Sequence, residues 1–360
     1  MDKTCKERAK RVARSINNWL RPDNDLLKKA IDRTVQEGLF SMSDIRYQIR
    51  ALKKEATEAA LLEWVGELNC VDGDPARVLC LHAGNLPLVG FQDVLAVALS
   101  GAGYAGKISK KDPYLLPTFF PHLQAEGLLN NAIWSTDLNT MDGVNSDAVL
   151  FSGSTDTVDH ILPVLYQQDM VKPNVPILQR TAHYSMAYIH DAEPTTMRNL
   201  VDSVFRYGGQ GCRSVALVVA PFSLRSEKCH FTDYVESFWL HSPQHIKARP
   251  ALYHRFAYNK AMGYEQMWLD HFLVEETTMH PTEPFVLHWV VGGLETVKQL
   301  ALDYEDGLQA VYSSGPEFTA GRFKAEPLVS AQQPPISWKP DGTDPLQWLC
   351  NVLQTTHKGS

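Results

Sequence analysis

A chain of 360 residues is long enough to bury a substantial core and suggests two domains or one large α/β unit. Hydrophobic residues make up 44% and charged residues 21%, the balance of an ordinary folded protein, so disorder is not the default and composition selects no special class. The formal net charge of -7 argues against a general nucleic-acid binder, which needs a basic face.

The amino terminus, Met1 to Lys10, is charged from its second residue onward. No apolar run reaches bilayer length, so the sequence predicts a cytoplasmic protein with no membrane span. Apolar positions recur at helical spacing through Ala30 to Phe40, and again from Ile45 through Leu68 after the N-cap candidate Ser43. From Arg77 the period changes to short apolar runs at Val78 to Leu81, Asp147 to Phe151, Val175 to Leu178 and Val215 to Val219, separated by helical patterns. That alternation predicts an α/β fold with a mainly parallel sheet and helices on its faces, preceded by a helical segment. The stretch from Ala331 to Gly342 is rich in Pro, Gln and Gly, before a short apolar close at Leu346 to Leu349.

Cys5, Cys70, Cys80, Cys212, Cys229 and Cys350 lie far apart with no C-x-x-C pair, which predicts reduced thiols rather than a disulfide framework. The histidines show no H-E-x-x-H or related spacing, so no metal site is expected.

Three turn-rich segments carry residues able to do chemistry. Tyr207-Gly208-Gly209-Gln210-Gly211-Cys212-Arg213-Ser214 presents a cysteine in a glycine turn before a strand. With Arg213 adjacent and backbone amides nearby, its pKa could be lowered for attack on a carbonyl; a buried structural cysteine would read the same way. In His82-Ala83-Gly84-Asn85-Leu86-Pro87 an Asn amide at a strand end could donate to a developing oxyanion, although turns use the same residues anyway. Phe151-Ser152-Gly153-Ser154-Thr155 leads a strand into a helix expected over Asp156 to Leu165, and its amides could take a phosphate or simply be capped. Lys107, Lys110 and Lys111 could meet a nucleotide phosphate or form a solvated surface. There is no G-x-G-x-x-G fingerprint.

Taken in order, these segments resemble the aldehyde dehydrogenase superfamily, and more closely its acyl-CoA reductase branch, which includes the long-chain fatty-acyl-CoA reductase of bacterial bioluminescence. Gly84-Asn85-Leu86-Pro87-Leu88 is similar to the superfamily's Asn-containing turn, Lys107-Ile108-Ser109 to its cofactor lysine segment, Phe151-Ser152-Gly153-Ser154-Thr155 to F-x-G-S-T, and Gly209-Gln210-Gly211-Cys212 to the G-Q-x-C nucleophile loop. Ser109-Lys110-Lys111-Asp112 with Leu115-Leu116-Pro117, and Asp341-Gly342-Thr343-Asp344-Pro345-Leu346, extend the agreement over nearly the whole chain.

The resemblance implies an aldehyde dehydrogenase-like fold. Its parts would be a helical segment over 1–75, a Rossmann-like NAD(P)-binding domain over 76–182, an α/β catalytic domain over 183–325 and a tail over 326–360 packing back on the core. It also implies a covalent mechanism. Cys212 attacks the carbonyl of an acyl-CoA or acyl-carrier-protein thioester, while Asn85 and the Cys212 amide hold the oxyanion. NADPH, or alternatively NADH, is held by Lys107, Ser109, Gly153, Ser154 and Thr155 and reduces the acyl-enzyme to a fatty aldehyde. A homo-oligomer is implied as well.

In aldehyde-oxidising relatives a Glu in an E-L-G-G-K-like segment activates the hydrolytic water; the matching segment here is Leu178-Gln179-Arg180-Thr181-Ala182-His183, with Gln179 at that place. An amide cannot act as a general base, which sets the reductase above an acid-forming aldehyde dehydrogenase, and intact Cys212 and Asn85 set it above a non-catalytic relative. His183 is a candidate proton donor, or a hydrogen-bonded residue of the strand expected over Tyr184 to Ile189.

Overall fold

The computed structural model describes residues 3–66, 68, 76–181, 184–243, 247, 249–277, 281 and 283–356. The chain divides into two compact units, the first comprising Met1–Thr181 with Pro334–Ser360 and the second Ala182–Gln333.

The first unit begins with four helices, α1 (Lys3–Trp19), α2 (Asp25–Gln36), α3 (Met42–Glu55) and α4 (Glu58–Val65). The single periodic run read over 45–68 is therefore two helices. Ala56, at φ -92° and ψ 51°, leaves the helical region, and the Thr57 side chain caps the next helix by accepting from the Ala60 amide. The cap of α3 is Ser41, which accepts from the Asp44 amide, and not Ser43, which already lies inside the helix. Trp19 ties this helical layer to the rest of the unit: it is fully buried, stacks on Phe91 at 5.5 Å and donates to the Thr118 hydroxyl at 2.8 Å.

Beyond it, β1 (Arg77–Leu81), α5 (Phe91–Ser100), β2 (Gly103–Lys107), α6 (Phe120–Ala125), β3 (Ile133–Ser135), β4 (Ala148–Ser152), α7 (Thr155–Gln167) and β5 (Ile177–Arg180) alternate. They form a five-stranded parallel sheet in the order β3-β2-β1-β4-β5. Val78, Leu79 and Cys80 are wholly buried, as expected of a strand covered on both faces. The carboxy-terminal helix, Pro345–Thr356, supplies Leu346, Leu349 and Leu353 to the same core as α1 and α5.

The second unit runs β6 (Tyr184–Tyr188), α8 (Pro194–Phe205), β7 (Val215–Ala220), α9 (Leu224–His241), α10 (Pro250–Met262), β8 (Gln266–Leu269), β9 (Phe272–Glu276), β10 (Val286–Val291), α11 (Leu294–Asp303), β11 (Leu308–Ser313), β12 (Thr319–Ala320), β13 (Phe323–Lys324) and β14 (Glu326–Pro327). Seven of these strands form one sheet, in the order β14-β11-β6-β7-β10-β9-β8, parallel except for the β8–β9 pair. Among the described residues no helix is long and apolar enough to cross a membrane. Cys5 takes part in a disulfide, against the expectation that every thiol is reduced, whereas Cys80 and Cys350 are free.

One buried ion pair braces the first unit. Both guanidinium NH₂ groups of Arg180, at the end of β5, donate at 2.6 Å to the two carboxylate oxygens of Asp93, in the first turn of α5. Both side chains are buried, so removing one partner strands a charge in the core. Asp93→Ala is expected to lower unfolding stability by about 3–5 kcal/mol in urea titration, and the double replacement Asp93→Leu with Arg180→Met to restore most of it. A loss under about 1 kcal/mol in the single variant would show that the pair is not a brace.

Candidate active site

In open parallel sheets, ligands bind outside the carboxyl ends of the strands, where the strand order reverses. In the first unit that point lies between β1 and β4. The register sets Lys107 of β2, Leu81 of β1, Phe151 of β4 and Gln179 of β5 in one row across this edge. The loops leaving it carry Asn85, Ser109 and the 153–155 segment. The sheet thus gathers Asn85, Lys107, Ser109, Gly153, Ser154 and Thr155 at one edge of one unit.

The Asn85 turn is held tightly. Gly84 lies so close to the Lys107–Asp112 segment that an added Cβ would stand 2.2 Å from the Ser109 hydroxyl. Leu88 has φ +59° although its side chain is buried, a left-handed conformation that costs a leucine roughly 1–2 kcal/mol. Its amide donates at 2.7 Å to the buried Asp112 carboxylate. Gly90 then passes against the His82 ring, where a Cβ would meet Nδ1 at 2.2 Å.

Both ionisable groups beside this turn are displaced. Burial pushes the Asp112 carboxyl up to about 6, opposed by the Leu88 and Leu115 amides. Burial likewise pulls His82 down to about 4, against the Asp93 carboxylate. The neutral His82 ring is 2.8 Å from the Tyr104 hydroxyl through Nε2.

Two features fit a dinucleotide. Ser154 stands at the N-cap of α7 with its hydroxyl 2.8 Å from the Thr157 hydroxyl and makes no cap bond to the helix, so its side chain leaves the first-turn amides to another acceptor. A Cβ on Gly153 would meet the Phe151 ring at 2.7 Å, so glycine lets the chain lie flat over that ring. Lys107 is half-buried, and burial, aided by the charge of Lys110, lowers its pKa. Its ammonium is therefore poorly solvated and suited to an acceptor such as a ribose or phosphate oxygen. Among the described residues no group of three or more His, Cys, Asp or Glu stands where it could hold a metal ion.

Cys212 belongs to the second unit. It precedes β7, and three successive residues with positive φ, Tyr207 (+56°), Gly208 (+66°) and Gly209 (+69°), reverse the chain after α8. A Cβ on Gly209 would stand 3.0 Å from the Val204 carbonyl, so glycine is needed there for space as well as for φ. Cys212 carries a thiol and is half-buried, while Gly211, Arg213 and Ser214 around it are buried. The Ser185 hydroxyl, on β6, donates to the Cys212 carbonyl at 3.0 Å. Arg213 is engaged by the main chain of its own unit. Its Nε donates to the Ala331 carbonyl at 2.7 Å and its Nη2 to that of Ser330 at 2.9 Å, with Glu326 at 3.7 Å. It ties the Cys212 loop to the 326–331 segment.

His183 lies outside the described residues. Gln179 is exposed on β5. Sequence reasoning missed Asp112, Asp93 and Arg180 as structural partners. Asp93 and Arg180 are charges beside apolar residues, Asp93 within Phe91-Gln92-Asp93-Val94-Leu95 and Arg180 closing Ile177-Leu178-Gln179, and a lone charge in such a place signals a buried partner; Asp112, next to Lys110 and Lys111, carries no such signal.

No family model matches the chain, and no curated protein matches it. Solved structures do. A proline utilization A protein (PutA) from Corynebacterium freiburgense aligns with a TM-score of 0.60 at 12% identity, over 87% of this chain and 37% of that one. A PutA variant from Bradyrhizobium japonicum aligns at 0.57 and 16%, over 86% and 36%. Aldehyde dehydrogenase 21 from Physcomitrella patens, in complex with the reaction product succinate, aligns at 0.60 and 14%, over 86% of this chain and 72% of that one. The chain spans little more than a third of the PutA chains it matches. At these identities the likeness establishes the fold, which is aldehyde dehydrogenase-like.

The two displaced groups make opposite contributions to acid stability. Asp112, raised from 3.8 to about 6, contributes stability that is present below pH 3.8 and is lost as pH rises through 6. His82, lowered from 6.5 to about 4, contributes stability that is present above pH 6.5 and is lost as pH falls through 4. In the wild type they largely offset each other between pH 4 and 6. Asp112→Asn removes one side, so its unfolding free energy should rise with pH over that window by on the order of 2–3 kcal/mol more than the wild type's. Parallel pH profiles by urea titration would contradict this.

Proposed function

We propose that this protein reduces an acyl thioester, of the acyl-CoA class, to an aldehyde with NAD(P)H through an acyl-Cys212 intermediate. The observation that carries the reading is the half-buried Cys212 thiol, presented on a glycine turn in a chain of aldehyde dehydrogenase-like fold. A carboxyl edge that fits a dinucleotide, with Lys107, Ser109 and the amides of 153–155, supports the cofactor class.

In this reading the Cys212 sulfur forms a bond to the acyl carbon, and the carbonyl electrons move to oxygen. The reading assigns that oxyanion to the Cys212 amide and the Asn85 side chain. Collapse breaks the bond to the CoA sulfur, which leaves as a thiolate and takes up a proton, and Cys212 is left as a thioester. NAD(P)H, when bound, supplies the hydride that reduces this thioester carbon. The resulting thiohemiacetal releases aldehyde as its carbon–sulfur bond breaks, and the thiolate of Cys212 is regenerated. Gln179 supports reduction over oxidation, because hydrolysis of the acyl-enzyme needs a general base and an amide is none.

The test follows NADPH and NADH absorbance with acyl-CoAs from short to long, alongside intact-mass measurement after incubation with acyl-CoA alone. Wild type should consume cofactor and gain the mass of one acyl group. Cys212→Ala should lose at least about a thousandfold in rate and gain no mass. Oxidation of aldehyde to acid, with no thioester-dependent consumption, would replace the reductase with a dehydrogenase. Acyl-CoA hydrolysis without cofactor use would point to a cysteine hydrolase.

A further inference from the structure

We propose that Asp112 is a positioning residue whose buried carboxylate moors the 84–90 turn, and Asn85 with it, to the segment that carries Lys107 and Ser109. The inference rests on the functional reading above for the role of Asn85, and on geometry alone for the mooring.

Three contacts of the turn with its surroundings bear on how it is held. At its start Gly84 abuts Ser109, and at its end Gly90 abuts His82. Both are steric contacts: they limit how the chain may lie but attract nothing. Between them the Asp112 carboxylate takes the Leu88 amide at 2.7 Å, across 24 residues of sequence. Leu88 needs such a hold. Its φ of +59° suits glycine or asparagine, not leucine. An acceptor of fixed position, itself 4% exposed and facing a second amide at Leu115, supplies what the local sequence does not. Asn85 stands three positions before Leu88, inside the restrained turn.

Lys107 is held differently, by strand register with Leu81 and Ser135. Losing the Asp112 carboxylate should therefore let Leu88 relax and move Asn85 while leaving the cofactor lysine in place. The expected defect lies in turnover, not in cofactor binding.

A double-mutant cycle tests this in the full chain, with Asn85→Ala, Asp112→Ala and both together, and with Asp112→Asn as the conservative variant. Asn85→Ala should lower kcat by about a hundredfold, the scale of a lost oxyanion donor. Asp112→Ala should lower kcat at least about tenfold with the NAD(P)H Kd within about threefold. The double variant should be no more than about threefold below Asn85→Ala, because both changes remove the same positioned amide. Asp112→Asn keeps an oxygen for the Leu88 amide and should recover most of the rate. Losses that multiply, or a kcat untouched by Asp112→Ala, would overturn the positioning role.

If Asn85→Ala leaves kcat unchanged, or the wild type reduces no thioester, the functional reading has failed. The mooring is then decided by amide hydrogen exchange. Leu88 should exchange at least about tenfold faster in Asp112→Ala while β1 amides are unchanged, and equal Leu88 rates would refute it. Asp112→Ser, too short to reach the Leu88 amide, replaces Asp112→Ala in every arm should that variant not fold.

Discussion

The carboxyl edge of the first unit depends on a charge that the core would otherwise reject. Arg180 ends β5 inside the fold, and the two-point contact with Asp93 is what chiefly makes its burial tolerable, with its Nε also facing the Phe151 carbonyl at 3.5 Å. Because Asp93 sits in the first turn of α5, the pair fixes where that helix begins. The turn carrying Asn85 ends at the same helix. His82 lies between the two, its Nδ1 3.7 Å from Asp93 and its Nε2 against Tyr104. Burial holds this ring neutral, so no further positive charge competes with Arg180 for the carboxylate. A short polar chain thus runs beneath the carboxyl edge of the sheet and ties the loops there to α5.

Much of this architecture was legible in the sequence because strands covered on both faces read as unbroken apolar runs. Val78 to Leu81 falls inside β1, Asp147 to Phe151 matches β4 to within a residue, and Val215 to Val219 lies within β7. The fifth strand was read early, at Val175 to Leu178, whereas β5 runs Ile177–Arg180. The reason is instructive. Strand reading stops at polar residues, and Gln179 and Arg180 extend the strand only because Asp93 supplies a buried counter-charge from elsewhere. Helix boundaries failed for a local reason instead. Ala56 and Thr57 interrupt an apolar period that continues on either side, so periodicity alone merges α3 with α4.

The candidate residues can be picked out from the sequence, whereas what supports their turns cannot. Turn chemistry drew attention to Asn85, Ser154 and Cys212, because glycine and small polar residues cluster where the chain bends. What holds those bends does not cluster in sequence. Leu88 gives no sign that it adopts positive φ, and Asp112 lies 24 residues beyond it. The glycines that matter here are defined by neighbours that a one-dimensional reading cannot supply, Ser109 for Gly84 and Phe151 for Gly153.

Arg213 has a structural task that adjacency in sequence does not show. Next to a thiol in sequence, a guanidinium suggests an activating charge. In the fold it is buried, donates to two main-chain carbonyls and lies near Glu326, so its charge faces the 326–331 segment. The guanidinium thereby holds the loop before β7 in place. The Ser185 bond to the Cys212 carbonyl bears on this. It fixes the peptide that follows Cys212 through the carbonyl, a second hold on the loop that Arg213 ties down. Held at both places, the loop presents the Cys212 thiol from a fixed backbone.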